Sequence, residues 1–268
     1  MRKISVYALL LPMVFLGGCD LFNYHPYDGR LKGELHINES NIEIIEETLK
    51  DKTEFKFAFI SDTQGWYDDT EDVVKNINSR NDIDFVVHGG DVSDYGLTKE
   101  FLWQRDILNK LKAPYVVLLG NHDCLANGEE IFVSVFGVVN YSFMAGNVKF
   151  VCLNTNALEQ DYSRPVPDFQ FIRKENDPEN TKHQKTIVAM HARPYSEQFN
   201  NNVADVFHDE IKKYPNLLFC MNGHDHQLTE TDIFEDGIIY YGTPNVHKRK
   251  YLIFTITKDD SIYEVVEF

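Results

Sequence analysis

The chain has 268 residues, 43% of them hydrophobic, which is enough for one domain with a large core and too little for a second full one. A formal charge of −16 makes a surface that repels polyanions, and this argues against a nucleic-acid binder. A small anionic substrate stays compatible wherever a site carries positive charge of its own.

The chain begins like an exported protein. Arg2 and Lys3 precede an apolar run over residues 4–16, too short to cross a bilayer as a mature helix, and Leu16-Gly17-Gly18-Cys19 follows. LGGC resembles a bacterial lipobox, in which the cysteine is diacylated and becomes the new N-terminus; the alternative is an ordinary signal peptide cut at a nearby small residue. The resemblance implies a signal peptide over 1–18, lipidation at Cys19, a tether with an N-terminal strand or helix over 19–54, and a domain over 55–268. It also implies a lipoprotein held on a membrane of the bacterial cell envelope, since each buried methylene of the lipid contributes about 0.8 kcal/mol. Asp20 follows the lipidated position, where it influences sorting, so the choice between periplasm-facing and outer membranes stays open.

A helix is expected over 42–49, where Ile42, Ile45 and Leu49 share a face and Asn38 or Ser40 caps the start. Next come six short apolar runs: FKFAFISD, IDFVVHGGD, APYVVLLGNHD, VKFVCLNTN, KTIVAMHARP and NLLFCMNGHDH. Continuous runs of this length suit strands covered on both faces. Helical patterns over 69–78, 98–111, 129–135 and 203–213 separate several of them. The polar stretch 159–185 reads as a long loop beside the site, with a short helix starting at Asp168. The tail has strand composition, with Lys258, Asp259, Asp260 and Ser261 as a hairpin turn. The pattern is that of an α/β sandwich. With Cys19 assigned to lipid, Cys124, Cys152 and Cys220 read as free thiols in preference to a disulfide.

Each apolar run ends in groups able to bind metal: Asp62 and Gln64; Asp91, with Asp94 three residues on; Asn121, His122 and Asp123; His191; and His224, Asp225 and His226. In an α/β sheet, side chains at the carboxyl ends of neighbouring strands converge on one crevice. In this order, SDTQ, GGD, GNHD, a strand ending in histidine, and GHDH resemble the motifs of the calcineurin-like metallophosphoesterases, a family of binuclear metal hydrolases. The resemblance covers about 55–244.

The resemblance implies a four-layer α/β/β/α sandwich with mixed sheets. It implies one divalent metal on Asp62, Gln64, Asp91 and His226, and a second on Asp91, Asn121, His191 and His224, with Asp91 bridging. His122 would be the catalytic, substrate-touching histidine, and Asp123 would hold its ring. The activity implied is hydrolysis of a small phosphorylated substrate (monoester, diester or pyrophosphate) by in-line attack of a water activated between the metals. Gln64 stands where most members carry a histidine; it exchanges a nitrogen donor for an oxygen, which favours Mn²⁺ or Fe²⁺ over Zn²⁺, a mixed pair also being possible. Some members, including Mn²⁺-dependent ADP-ribose pyrophosphatases, also carry Gln there.

Among flanking residues, Arg193 has the shape to bind phosphate and follows His191 by two. Trp66 and Tyr67 are expected to pack, with stacking on a substrate ring as the alternative. His88 is expected to be packed, and Asp94 to cap the next segment. The competing function is a catalytically silent lipoprotein that keeps the fold. A β-lactamase-type metal hydrolase needs a His-x-His-x-Asp-His run, which the sequence lacks.

Overall fold

The computed structural model of the protein describes residues 29–177 and 185–268. The export signal, Cys19 and the tether up to residue 28 lie outside the described residues, as does 178–184 of the long loop.

The six apolar runs form β1 (Phe55–Ile60), β2 (Phe85–His88), β3 (Tyr115–Val117), β5 (Val148–Leu153), β6 (Lys185–Met190) and β7 (Leu217–Asn222). They are joined by β4 (Tyr141–Ala145), β8 (Thr229–Asp232), β9 (Ile239–Gly242), β10 (Lys250–Ile256) and β11 (Ser261–Glu267). Two mixed sheets result, in the orders β11-β10-β1-β2-β3 and β4-β5-β6-β7-β9-β8. Within them β1, β2 and β3 run parallel, as do β5, β6, β7 and β9.

Successive side chains on a strand point to opposite faces, and both faces of β1 are buried. Phe55, Phe57 and Phe59 point into a core shared by the two sheets, where Phe57 and Phe85 of the first meet Phe150 of the second edge to face. Ala58 and Ile60 point the other way, onto α2 (Tyr67–Ser79) and α3 (Thr98–Leu108), with α4 (Gly128–Val135) beside them. Beyond the second sheet, Val151, Val188 and Met190 pack on Ile172 of α5 (Phe169–Glu175) and on Phe207 and Ile211 of α6 (Ala204–Ile211). Helices, sheet, sheet, helices is therefore the layer order, as expected.

Three local expectations are corrected. The first helix, α1 (Ile37–Leu49), starts earlier than expected, so Asn38 lies inside it, buried, and caps nothing. Its carboxamide instead pairs with edge strand β3, Nδ2 donating to the Val117 carbonyl at 2.9 Å and Oδ1 accepting from the Val117 N–H at 2.8 Å. Asp94 caps nothing either: Glu100 accepts from the Tyr95 and Leu97 N–H groups ahead of α3. Strands β4 and β8 were not anticipated; β8 is a polar edge strand, TETD, of the kind that discourages pairing with other chains. Asp168 does cap α5, accepting from the Gln170 and Phe171 N–H groups, and Cys124, Cys152 and Cys220 are free thiols.

Candidate metal and catalytic site

The predicted residues converge at the carboxyl ends of strands from both sheets. Asp62 and Gln64 follow β1, Asp91 follows β2, and Asn121 and His122 follow β3; His191 follows β6, and His224 and His226 follow β7. Four of them take the left-handed backbone conformation: Asp62 (φ 55°), Asp91 (57°), His224 (62°) and His226 (52°). Such a conformation costs a non-glycine residue about 1–3 kcal/mol and persists only where the surroundings enforce it, typically at functional sites. Here the Asp62 N–H donates to the Gly90 carbonyl at 3.0 Å, and the Thr63 and Gln64 N–H groups donate to that of Asp91, strapping two loops together. Two glycines are needed for the close approach: a Cβ on Gly120 would lie 2.1 Å from Asp91 Oδ1, and one on Gly223 would lie 2.7 Å from Asp62 Oδ2.

The side chains form two groups that meet at Asp91. In one, His226 Nε2 lies 3.0 Å from Asp62 Oδ1, and Gln64 Nε2 lies 3.4 Å from Asp91 Oδ2. In the other, the Asn121 Oδ1 lies 3.1 Å from His191 Nε2 and 3.0 Å from His224 Nδ1, and His191 Nε2 lies 3.4 Å from Asp91 Oδ2. The left-handed turn over His224 to His226 sends the two imidazoles to different groups, which a straight strand could not do. Potential ligand atoms of Asp62, Asp91 and His191 all lie within 4.8 Å of one another.

The donor chemistry suits divalent cations. Asp62 and Asp91 are fully buried carboxylates, and such charges need cationic partners. Despite its contact with His226, Asp62 Oδ1 makes no hydrogen bond, and Gln64 Oε1 and Asn245 Oδ1 are likewise buried without one. Both amides present their NH₂ groups inward, Asn245 Nδ2 lying 3.3 Å from His226 Nδ1. Turned over, the Gln64 amide offers its oxygen to a cation, and that of Asn245 accepts from a protonated Nδ1, leaving His226 Nε2 for a metal. His191 is already set this way, its Nδ1 lying 2.8 Å from the Gly89 carbonyl and so carrying the proton.

The shifted pKa values follow from the same crowding of charge. Burial pulls His191 down, but the charge and contact of Asp91, aided by Asp62, push it up to about 10. Burial raises Asp91, and His191 and His122 then bring it down to about 2. Burial takes His88 to about 4; its Nδ1 accepts from the Gly90 N–H and its Nε2 pairs with Thr63 Oγ1, so it is packed, as expected.

His122 is partly exposed, and its Nδ1 donates to the Asp94 backbone carbonyl at 2.8 Å. This corrects the expectation for Asp123. That carboxylate is fully buried and accepts from the N–H groups of Val92, Ser93 and Gly120 and from Ser93 Oγ, so none of it faces the His122 ring. It fixes the loop that bears Asp94, and so positions His122 at one remove. Arg193 is held by Asp225, Nε to Oδ2 at 2.7 Å, and its Nη1 donates to the Pro194 carbonyl. Asn245 was missed because it sits after a strand end in a stretch, GTPN, that carries no metal-binding pattern.

The calcineurin-like phosphoesterase model matches residues 55–228. A 3′,5′-cyclic-nucleotide phosphodiesterase of Nostoc sp., alr5338, is 27% identical over 176 residues, which cover 62% of this chain and 64% of that protein, just under two thirds of its length. Two of the solved structures that share the fold illustrate its range. One is GAP50, the anchor in the inner membrane complex of Plasmodium (12% identity, TM-score 0.60, 81% of this chain and 85% of that one). The other is the purple acid phosphatase PPD1 of yellow lupin seeds (13% identity, TM-score 0.60, 80% and 51%). The family uses divalent metals to hydrolyse phosphoesters, and with the match spanning most of the chain, this protein belongs to the calcineurin-like phosphoesterase family.

Proposed function

We propose that the protein is a binuclear metal-dependent phosphoester hydrolase. The observation that most supports this is the meeting of two donor groups at Asp91, each with donors suited to one cation. Asp62, Gln64, Asp91 and His226 would hold one ion, and Asp91, Asn121, His191 and His224 the other. The oxygen-rich first set favours Mn²⁺ or Fe²⁺, with Zn²⁺ or a mixed pair possible. Held there, two such ions would lower the pKa of a water and offset charge on the phosphoryl group.

The protein's own side chains do the rest. His122, its Nδ1–H held by the Asp94 carbonyl, carries a second proton on Nε2 as the imidazolium, and in that form it donates to the phosphoryl oxygens or gives that proton to the leaving oxygen. Arg193, aimed by Asp225, binds a phosphate oxygen through the part of its guanidinium that faces outward. The Nostoc relative's name favours a phosphodiester among the possible substrates. An oriented, partly exposed His122 counts against a silent scaffold, which would need no such group.

The LGGC motif supports export and lipid anchoring through Cys19 on a membrane of the bacterial cell envelope. The test is turnover of Mn²⁺-loaded protein on matched monoester, diester and pyrophosphate substrates, with membrane fractionation of wild type and Cys19→Ser alongside. Turnover of at least one class and release of the variant from membranes are expected. Two bound metals with no turnover would favour the scaffold, and unchanged fractionation would dismiss the anchor.

A further inference from the structure

Two residues beyond Gln64, the indole of Trp66 stacks on the imidazole of His247, ring centres 4.0 Å apart and planes 13° from parallel. The His247 ring is fixed from behind, and the Trp66 backbone is pinned on both sides. His247 Nδ1 bonds Asp69 Oδ2 at 2.9 Å, and Arg249 holds the other oxygen of that carboxylate at 3.0 Å. The Trp66 backbone N–H donates to the Thr63 carbonyl, and the Trp66 backbone carbonyl accepts from the Thr70 N–H and hydroxyl, so the chain is fixed where it carries the indole.

The same pair is tied to the candidate site on three sides. Trp66 shares its turn with Gln64. His247 shares its turn with Asn245, which contacts the His226 ring, and with Lys248, whose Nζ donates to the His226 carbonyl at 2.7 Å. A Cβ on Gly65 would lie 4.0 Å from Asp94 Oδ2, so the loop bearing Trp66 abuts the loop that orients His122. Yet 39% of Trp66 and 57% of the His247 side chain stay exposed. A large aromatic pair beside the loops of the site, its imidazole anchored and this much of its surface open, offers a face on which a ring can stack.

We infer that Trp66 and His247 form a stacking platform for a heteroaromatic ring of the substrate, so that the site prefers nucleoside phosphoesters to phosphoesters of ringless alcohols. This rests on the phosphoesterase reading of the metal site. Stacking on a fixed aromatic suits any base, because every base has a π-face, and a rigid platform lowers the ordering cost of binding.

The test compares adenosine 5′-monophosphate with methyl phosphate, which share the phosphate and differ in the ring. Their affinities for Mn²⁺-loaded protein are measured by titration calorimetry. The platform predicts that the nucleotide binds about ten-fold tighter or more in the wild type, from the usual worth of base stacking. Trp66→Ala should remove most of that ratio, and Trp66→Phe should retain most of it. His247→Ala, which leaves the indole in place but unsupported, should lower it in part and serves if Trp66→Ala does not fold. Methyl phosphate bound with no nucleotide advantage, or an advantage unchanged in Trp66→Ala, overturns the platform alone. No binding of either ligand, with no turnover of ringless diesters, overturns the metal-site reading and the platform with it.

Discussion

Gln64 shows how much one atom can decide at the residue scale. In the proposed first metal position it adds an oxygen to those of Asp62 and Asp91, leaving His226 as the one nitrogen donor. Gln64→His keeps the charge and replaces oxygen with nitrogen, so it should shift that position toward Zn²⁺. Competition between Mn²⁺ and Zn²⁺ followed by metal analysis checks this, and unchanged selectivity with the fold intact would sink the ligand assignment. The residues themselves were legible in the sequence because strand ends are where a sheet gathers side chains. What orients them was not. Asp123 was expected to hold the His122 ring through its other nitrogen, but three N–H groups and a hydroxyl around a buried carboxylate outcompete one neighbouring ring. The carbonyl that does orient His122 belongs to Asp94, and backbone groups leave no signature in residue type.

At the scale of elements, continuous apolar runs marked six of the strands, since they are covered on both faces. β4 alternates buried and half-buried positions, and β8 is polar along its length, so neither produces such a run. The start of α1 was misread for a related reason. Asn38 is a familiar cap, but its amide copies a strand's donor and acceptor beside β3. Asn38→Ala should therefore act on the sheet edge more than on the helix. The Val117 carbonyl keeps the Tyr141 hydroxyl at 2.9 Å, while the Val117 N–H loses its partner. A buried unpaired N–H costs about 1–3 kcal/mol, and urea denaturation should show a loss of that size. A loss within the range of an ordinary surface change, about 0.5 kcal/mol, would contradict the pairing role.

In the whole molecule, the site lies along the seam between the sheets. The first sheet delivers the acids and amides, Asp62, Gln64, Asp91 and Asn121, and the second delivers the imidazoles, His191, His224 and His226. Neither sheet holds a complete donor set, and Asp91 stands where the two groups join. That gives Asp91 and His122 separable roles although the His122 N–H bonds Asp91 Oδ1 at 2.9 Å. The most direct test is the metal content and turnover of wild type, Asp91→Ala and His122→Ala, prepared side by side. Two ions per chain are expected in the wild type and in His122→Ala, the latter with turnover lower by about 10²–10⁴-fold. Asp91→Ala should lose both ions and all turnover. Equal metal loss in the two variants, or two ions retained without Asp91, would contradict a centre bridged at that residue.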